Sequence, residues 1–171
     1  MEHSDSAEFE PWYRREYPRV LATLVLAVGD GDLGREAADE AFARALARWA
    51  SVSRMESPAG WTYRVALNLV RRSARRAAVE RRLLRLGRPR EFSVPGPAVE
   101  LWHVVRALPR RQREVVVLRH LLDLREREIA EVLGVRRSTV SRSLAAAHQT
   151  LRGWLTEEAG EPDETTAEER S

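Results

Sequence analysis

The sequence predicts an all-α fold of two small helical domains joined by a flexible linker, the C-terminal one a four-helix domain with a helix-turn-helix. Three observations lead there. Apolar residues recur at helical spacing from Phe9 to Leu144, no strand signal of comparable strength appears, and residues 87 to 97 gather Gly87, Pro89, Pro95, Gly96 and Pro97 between two periodic blocks. The expected divisions are a first domain over residues 8–86, a linker over 87–97, a second domain over 98–155 and a disordered acidic tail over 156–171.

In the first domain Phe9, Trp12, Tyr13, Tyr17, Val20, Leu21, Leu24, Val25 and Val28 share a helical face up to the stop signal Gly29-Asp30-Gly31-Asp32. Pro18 is expected to kink or divide that helix, because it removes a backbone donor and crowds the preceding turn. A second helix is predicted from about Leu33 to Ala50, with Ala37, Ala38, Ala41, Phe42, Ala45, Leu46 and Trp49 forming its apolar stripe. Ser51 to Ser57 is a polar break. Pro58 suits the first turn of a third helix, where its missing donor costs nothing. That helix carries Trp61, Val65, Leu69 and Val70 and then an Arg-rich run.

Beyond the linker, Leu101, Val104, Val105 and Leu108 mark a short core helix. Pro109 ends it and opens the next, which turns Val115 to Leu118, Leu121 and Leu122 inward. Leu124 to Leu133, the turn at Gly134 and a helix opened by Arg136-Arg137-Ser138-Thr139 then read as a helix-turn-helix, with Ile129, Ala130, Leu133, Val135, Val140 and Leu144 apolar or small where its two helices meet.

Composition narrows the function classes. All 29 Lys+Arg residues are Arg, and the +3 net charge conceals an asymmetry. Residues 157–171 hold seven acids against one Arg, or −6, which leaves +9 on residues 1–156. Arg suits phosphates and guanine edges, although a GC-rich genome yields the same bias without functional cause. No cysteine is present, which removes disulfides, thiolate metal sites and a Cys nucleophile, and the four His show no ligand spacing. Neither a metal nor a cofactor is expected. There is no glycine-rich phosphate loop, so an ATPase or nucleotide-binding reading has no support. The longest apolar stretch, Val20 to Val28, is too short to span a bilayer, so no membrane insertion and a cytoplasmic location are expected.

Two basic clusters are the candidate sites. Arg136, Arg137, Ser138, Thr139 and Arg142 lie at the start of the recognition helix, where such motifs approach base edges and phosphates. Arg64, Asn68, Arg71 and Arg75 follow i, i+4, i+7, i+11 and form a strip shaped to follow a phosphate backbone. Trp61 and Tyr63 beside a polar loop could hold unstacked bases, although Trp61 fits a core position at least as well. A solvated surface is the ordinary fate of such charge runs. Glu36, Asp39, Glu40, Arg44 and Arg48 make a mixed-charge face that suits solubility or protein docking equally.

Together these blocks resemble the bacterial sigma factors of the extracytoplasmic-function (ECF) group of the sigma-70 family. Gly34-Arg-Glu-Ala-Ala-Asp-Glu-Ala-Phe42 through Trp49, and Ser57-Pro58-Ala-Gly-Trp61-Thr-Tyr-Arg64-Val-Ala-Leu-Asn68, resemble the family's region two. Ala107-Leu-Pro109-Arg-Arg-Gln-Arg-Glu114, Glu128-Ile-Ala-Glu-Val-Leu-Gly134-Val and Ser138-Thr-Val140 resemble its region four. The resemblance covers most of residues 8–155.

It implies a subunit, not an enzyme and without catalytic activity of its own, that directs core RNA polymerase to promoter DNA and supports transcription initiation. The first domain would bind the polymerase clamp through Glu36, Asp39 and Glu40. It would take the minus-ten element through Ser53, Arg54, Trp61, Arg64, Asn68, Arg71 and Arg75, with a flipped base in the loop Ser51 to Glu56. The second would bind the polymerase flap, and the minus-thirty-five element through Arg136, Arg137, Ser138, Thr139, Ser141 and Arg142. An anti-sigma factor is a further partner that the resemblance admits. The chain departs from the pattern at Asp39, where Gln is usual, at Arg71-Arg72, where an acid is common, and in the recognition helix. There the frequent Thr-Val-Lys-Ser-Arg reads Thr139-Val140-Ser141-Arg142-Ser143, and a later basic position is Ala146. The alternative reading is a stand-alone helix-turn-helix regulator. A pure protein-interaction module is the third.

Overall fold

The structure is a computed structural model that describes residues 2–84 and 99–158, with side chains over 7–76 and 103–154. The expected linker and most of the acidic tail lie outside the described residues. Within them every regular element is a helix, in the order α1 (Glu2–Val28), α2 (Gly31–Ala47), α3 (Trp49–Val52), α4 (Pro58–Leu84), α5 (Val99–Ala107), α6 (Arg110–Leu121), α7 (Glu126–Leu133) and α8 (Arg137–Glu158). The all-α expectation holds. Helix α8 continues to Glu158, so residues 156–158, assigned on the sequence to the disordered tail, are helical.

Helix α1 runs as one helix through Pro11 and Pro18, so of the two outcomes expected at Pro18, a kink or a division, the chain is not divided. A proline inside a helix costs roughly 3 kcal/mol or more, and here tertiary packing offsets it. Val20 and Leu24, directly after Pro18, are fully buried, and α1 packs against α2, α4 and α6. Phe9, Trp12, Tyr13 and Tyr17 build an aromatic cluster with Phe42 and Trp49, with Phe9 edge-on to Trp49 at 5.1 Å and Tyr13 edge-on to Phe42 at 5.3 Å. Such pairs add to the burial of large apolar area.

The turn into α2 obeys the sequence signal. Gly29 takes φ +79°, and the Asp30 side chain accepts a hydrogen bond from the Leu33 amide at 2.9 Å. Gly34 lets α2 approach α1 closely, since a Cβ there would lie 2.9 Å from Val25 Cγ2 and that side chain would have to shift. The second helix ends at Ala47 instead of Ala50, and a separate short turn, α3, buries Trp49 and Val52. Ser51 and Val52 are therefore helical, and Leu46, expected in the apolar stripe, is exposed. At the start of α4 the Ser57 hydroxyl accepts from the Gly60 amide at 3.1 Å, with Pro58 in the first helical position.

The C-terminal helices enclose Val105, Leu108, Val115, Leu118, Ile129, Leu133, Val140, Leu144 and Ala147. Helices α6, α7 and α8 pack on one another, and α5 touches α8. This group also rests on the first four helices: α1 packs against α5 and α6, and α4 against α7. Charges fasten the contact. Arg19 donates to the Leu121 carbonyl at 3.0 Å, capping the C-terminus of α6, and pairs with Asp123 and with the buried Glu16. Arg127 pairs with Glu56.

Candidate nucleic-acid interface

The helix-turn-helix is built from backbone chemistry upward. At the entry to α7 the Glu128 carboxylate reaches back to accept from the Arg125 amide at 2.7 Å. At its end Gly134 adopts the left-handed conformation at φ +67°, and the Val135 amide returns to the Ala130 carbonyl at 3.0 Å. Any β-carbon at residue 134 would be strained, which is why this turn takes glycine. Val140, Leu144 and Ala147 at i, i+4, i+7 bury one face of α8 and fix its roll.

That roll presents Arg136, Arg137, Ser138 and Arg142 to solvent, with Thr139 half-buried beside them. Three guanidinium groups thus share the N-terminal end of α8, where unpaired backbone amides also favour anions. Arg142 Nε donates to the Ser138 carbonyl at 3.4 Å. Ser141 is different. Its hydroxyl turns back and donates to Glu126 on α7 at 2.6 Å, so the structure spends this side chain inside the protein. The same Glu126 oxygen accepts from Arg137 Nε at 3.3 Å, and these two contacts hold its carboxyl below its ordinary pKa. Glu126 was not a candidate on the sequence. The one signal was Ser141 standing where a cation is usual.

On the first four helices Arg64, Asn68 and Arg75 are exposed and Arg71 is half-buried along one side of α4. Trp61 is half-buried against the core, Ser53 is half-buried and Arg54 exposed in the adjoining loop. Tyr63 is fully buried, with its hydroxyl lacking a hydrogen-bond partner among the described residues, so it cannot stack on a base as the sequence allowed. Burial, followed by the nearby Glu114, pushes its phenol well above the ordinary range.

This strip does not face open solvent throughout. Met55, Glu56, Ser57, Trp61 and Arg64 form one wall of a cleft of about 360 Å3 whose other wall is Glu128, Glu131 and Val132 of α7. Farther along, Arg71 and Arg75 share a second cleft with Arg110, Arg113 and Glu114 of α6. Glu114 is itself buried and held by Arg110 and Arg111, each at 3.0 Å.

Glu36, Asp39 and Glu40 are exposed on α2. Glu40 pairs with Arg44 at 2.7 Å, and Asp39 accepts from the Tyr17 hydroxyl, whose pKa burial and then Asp39 push up to about 12. Glu36 and Glu40 line a groove whose far side is Leu69, Arg72 and Arg76 of α4. No cluster of three or more potential metal ligands occurs among the described residues, and none of their helices is long and apolar enough to cross a membrane.

Residues 98–151 match the family model described as sigma-70, region 4. In fold the chain is similar to the sigma factor RpoE from Bartonella quintana, solved in complex with the anti-sigma factor NepR. The TM-score is 0.74 at 17% identity, over 87% of this chain and 97% of that one. The chain matches none of the curated protein sequences.

Proposed function

We propose that this chain, a member of the sigma-70 family by its region 4 at residues 98–151 and folded like a sigma factor, is a promoter-specificity subunit of the ECF type. It directs core RNA polymerase to particular promoters, supports opening of the DNA and performs no catalysis itself. The observation that carries this reading is the exposed set Arg136, Arg137, Ser138 and Arg142 on the recognition helix of a region 4 domain.

On this reading residues 98–155 bind the minus-thirty-five element and the polymerase flap. Residues 8–86 bind the clamp through Glu36, Asp39 and Glu40, and the minus-ten element through Ser53, Arg54, Trp61, Arg64, Asn68, Arg71 and Arg75. Residues 87–97 link them. Base extrusion costs a few kcal/mol of stacking and pairing, which contacts to the displaced strand must offset. Each module grips DNA weakly alone, and holding both on one large enzyme raises their effective concentration. The cleft beside Trp61 and Arg64 is walled by Glu128 and Glu131, so on this reading the modules part before single-stranded DNA enters. That RpoE is captured by an anti-sigma factor supports a comparable inhibitor here.

The test is a native gel shift on promoter fragments with and without bacterial core polymerase, paired with a pull-down of core. Core-dependent DNA binding is expected. Tight binding without core would instead establish a stand-alone regulator, and failure to retain core would overturn the sigma reading.

A further inference from the structure

The polar triplet Glu126, Arg137 and Ser141 joins the two helices of the helix-turn-helix. Ser141 Oγ donates to Glu126 Oε2 at 2.6 Å, and Arg137 Nε donates to the same oxygen at 3.3 Å. Ser141 also touches the Arg137 carbonyl at 3.3 Å, which ties the hydroxyl to the first turn of α8. Glu126 is two-thirds covered at its side chain, whereas Arg137 is 75% exposed.

We infer that Glu126 is a positioning residue for promoter selectivity: it anchors Arg137 by Nε and leaves the outer edge of that guanidinium aimed at one base of the upstream element. The inference rests on the proposed function.

Its physical basis is the shape of the guanidinium. Arg has five donors in a planar fork, and bidentate recognition of guanine O6 and N7 uses two of them side by side. Here Nε is engaged, while Nη1 and Nη2 have no protein partner among the described residues. A long side chain fixed at one nitrogen loses less rotamer entropy when it meets its base, so the right base gains more than the backbone does. Ser141 completes the device. A lysine at that position would compete with Arg137 for the same carboxylate, whereas the Ser141 hydroxyl neutralises nothing and holds the carboxylate in place. The negative charge beside the groove also disfavours phosphate, which weakens binding that is not sequence-specific.

The experiment uses holoenzyme reconstituted from core polymerase and the full chain, scored by run-off transcription on a promoter library randomised through the upstream element. Arg137→Ala should erase the base preference at one position, a loss on the order of 5- to 150-fold for a bidentate contact. Glu126→Ala should reduce the preference at that same position by about 5-fold or more while leaving the other positions unchanged. The double variant should match Arg137→Ala alone. Glu126→Gln, which keeps an acceptor oxygen, should retain most of the preference.

If Glu126→Ala lowers preference evenly across the element, together with the melting temperature, Glu126 is only a brace between helices and the inference fails. It fails equally if the single losses multiply in the double variant. Should the wild-type chain support no core-dependent transcription, the sigma reading itself falls, and the positioning role with it.

Discussion

Arg142 illustrates how a single side chain is committed by the roll of its helix. Because Val140, Leu144 and Ala147 are buried, Arg142 points outward, with only a long contact among the described residues, from Nε to its own helix's carbonyl at Ser138. Arg142→Ala should therefore reduce transcription from promoters that depend on the upstream element by about tenfold, within the 1–3 kcal/mol that one good base contact supplies. Retention of core in a pull-down should be unchanged. An undiminished transcript yield would remove Arg142 from the interface. His120 and His148, on α6 and α8, are the other informative pair, with their Nε2 atoms 3.2 Å apart. Burial first, then His148 and Arg119, lowers the pKa of His120, while Asp123 opposes. The unfolded chain thus binds more protons, so the stabilisation is complete above the ordinary histidine value of about 6.5 and is lost as pH falls through the lower folded value. Thermal melts followed by circular dichroism should show the midpoint dropping on acidification over that range. His120→Gln should flatten the dependence.

Single elements show where local signals suffice and where they do not. The start of α4 at Ser57-Pro58, the turn at Gly29-Asp30 and the left-handed Gly134 were all legible, because each is settled by chemistry within four residues. The course of α1 through Pro18 was not, since the burial that offsets the proline comes from α2, α4 and α6. Likewise α3 is a separate turn because Trp49 and Val52 fill space beneath α1 and α2. On α4 the periodicity gave the strip Arg64, Asn68, Arg71 and Arg75, but not the burial of Tyr63 beside it. Replacing both Arg71 and Arg75 by Ala should impair promoter opening more than polymerase association. Permanganate reactivity of unpaired thymines should fall severalfold, as expected from the loss of two phosphate contacts. Normal footprints would leave the strip as surface.

At the scale of the whole molecule, the two groups of helices are held together by apolar contact between α1 and α6, by Arg19 at the end of α6 and by Arg127 on Glu56. These cations are more than a third exposed, so solvent screening limits what each adds. Their geometry nonetheless sets the register of the contact. Replacing both Arg19 and Arg127 by Ala should lengthen the distance between fluorophores placed on α2 and α8, with helical content unchanged. The same variant should bind core polymerase at least as well, since the modules part more readily. An unchanged distance would show that the apolar contact alone keeps them together.

The amino-acid sequence by itself determined most of the helices, the helix-turn-helix, the outward Arg cluster and the resemblance to sigma factors, because periodicity, caps and turn glycines act over one or two turns. Tertiary structure alone decided that Ser141 bonds to Glu126, that Arg19 caps α6 and that Glu128 and Glu131 wall the cleft beside Trp61. Those pairings join residues from 15 to 102 positions apart, and hydrogen bonding at that separation depends on how helices pack, which no local pattern encodes.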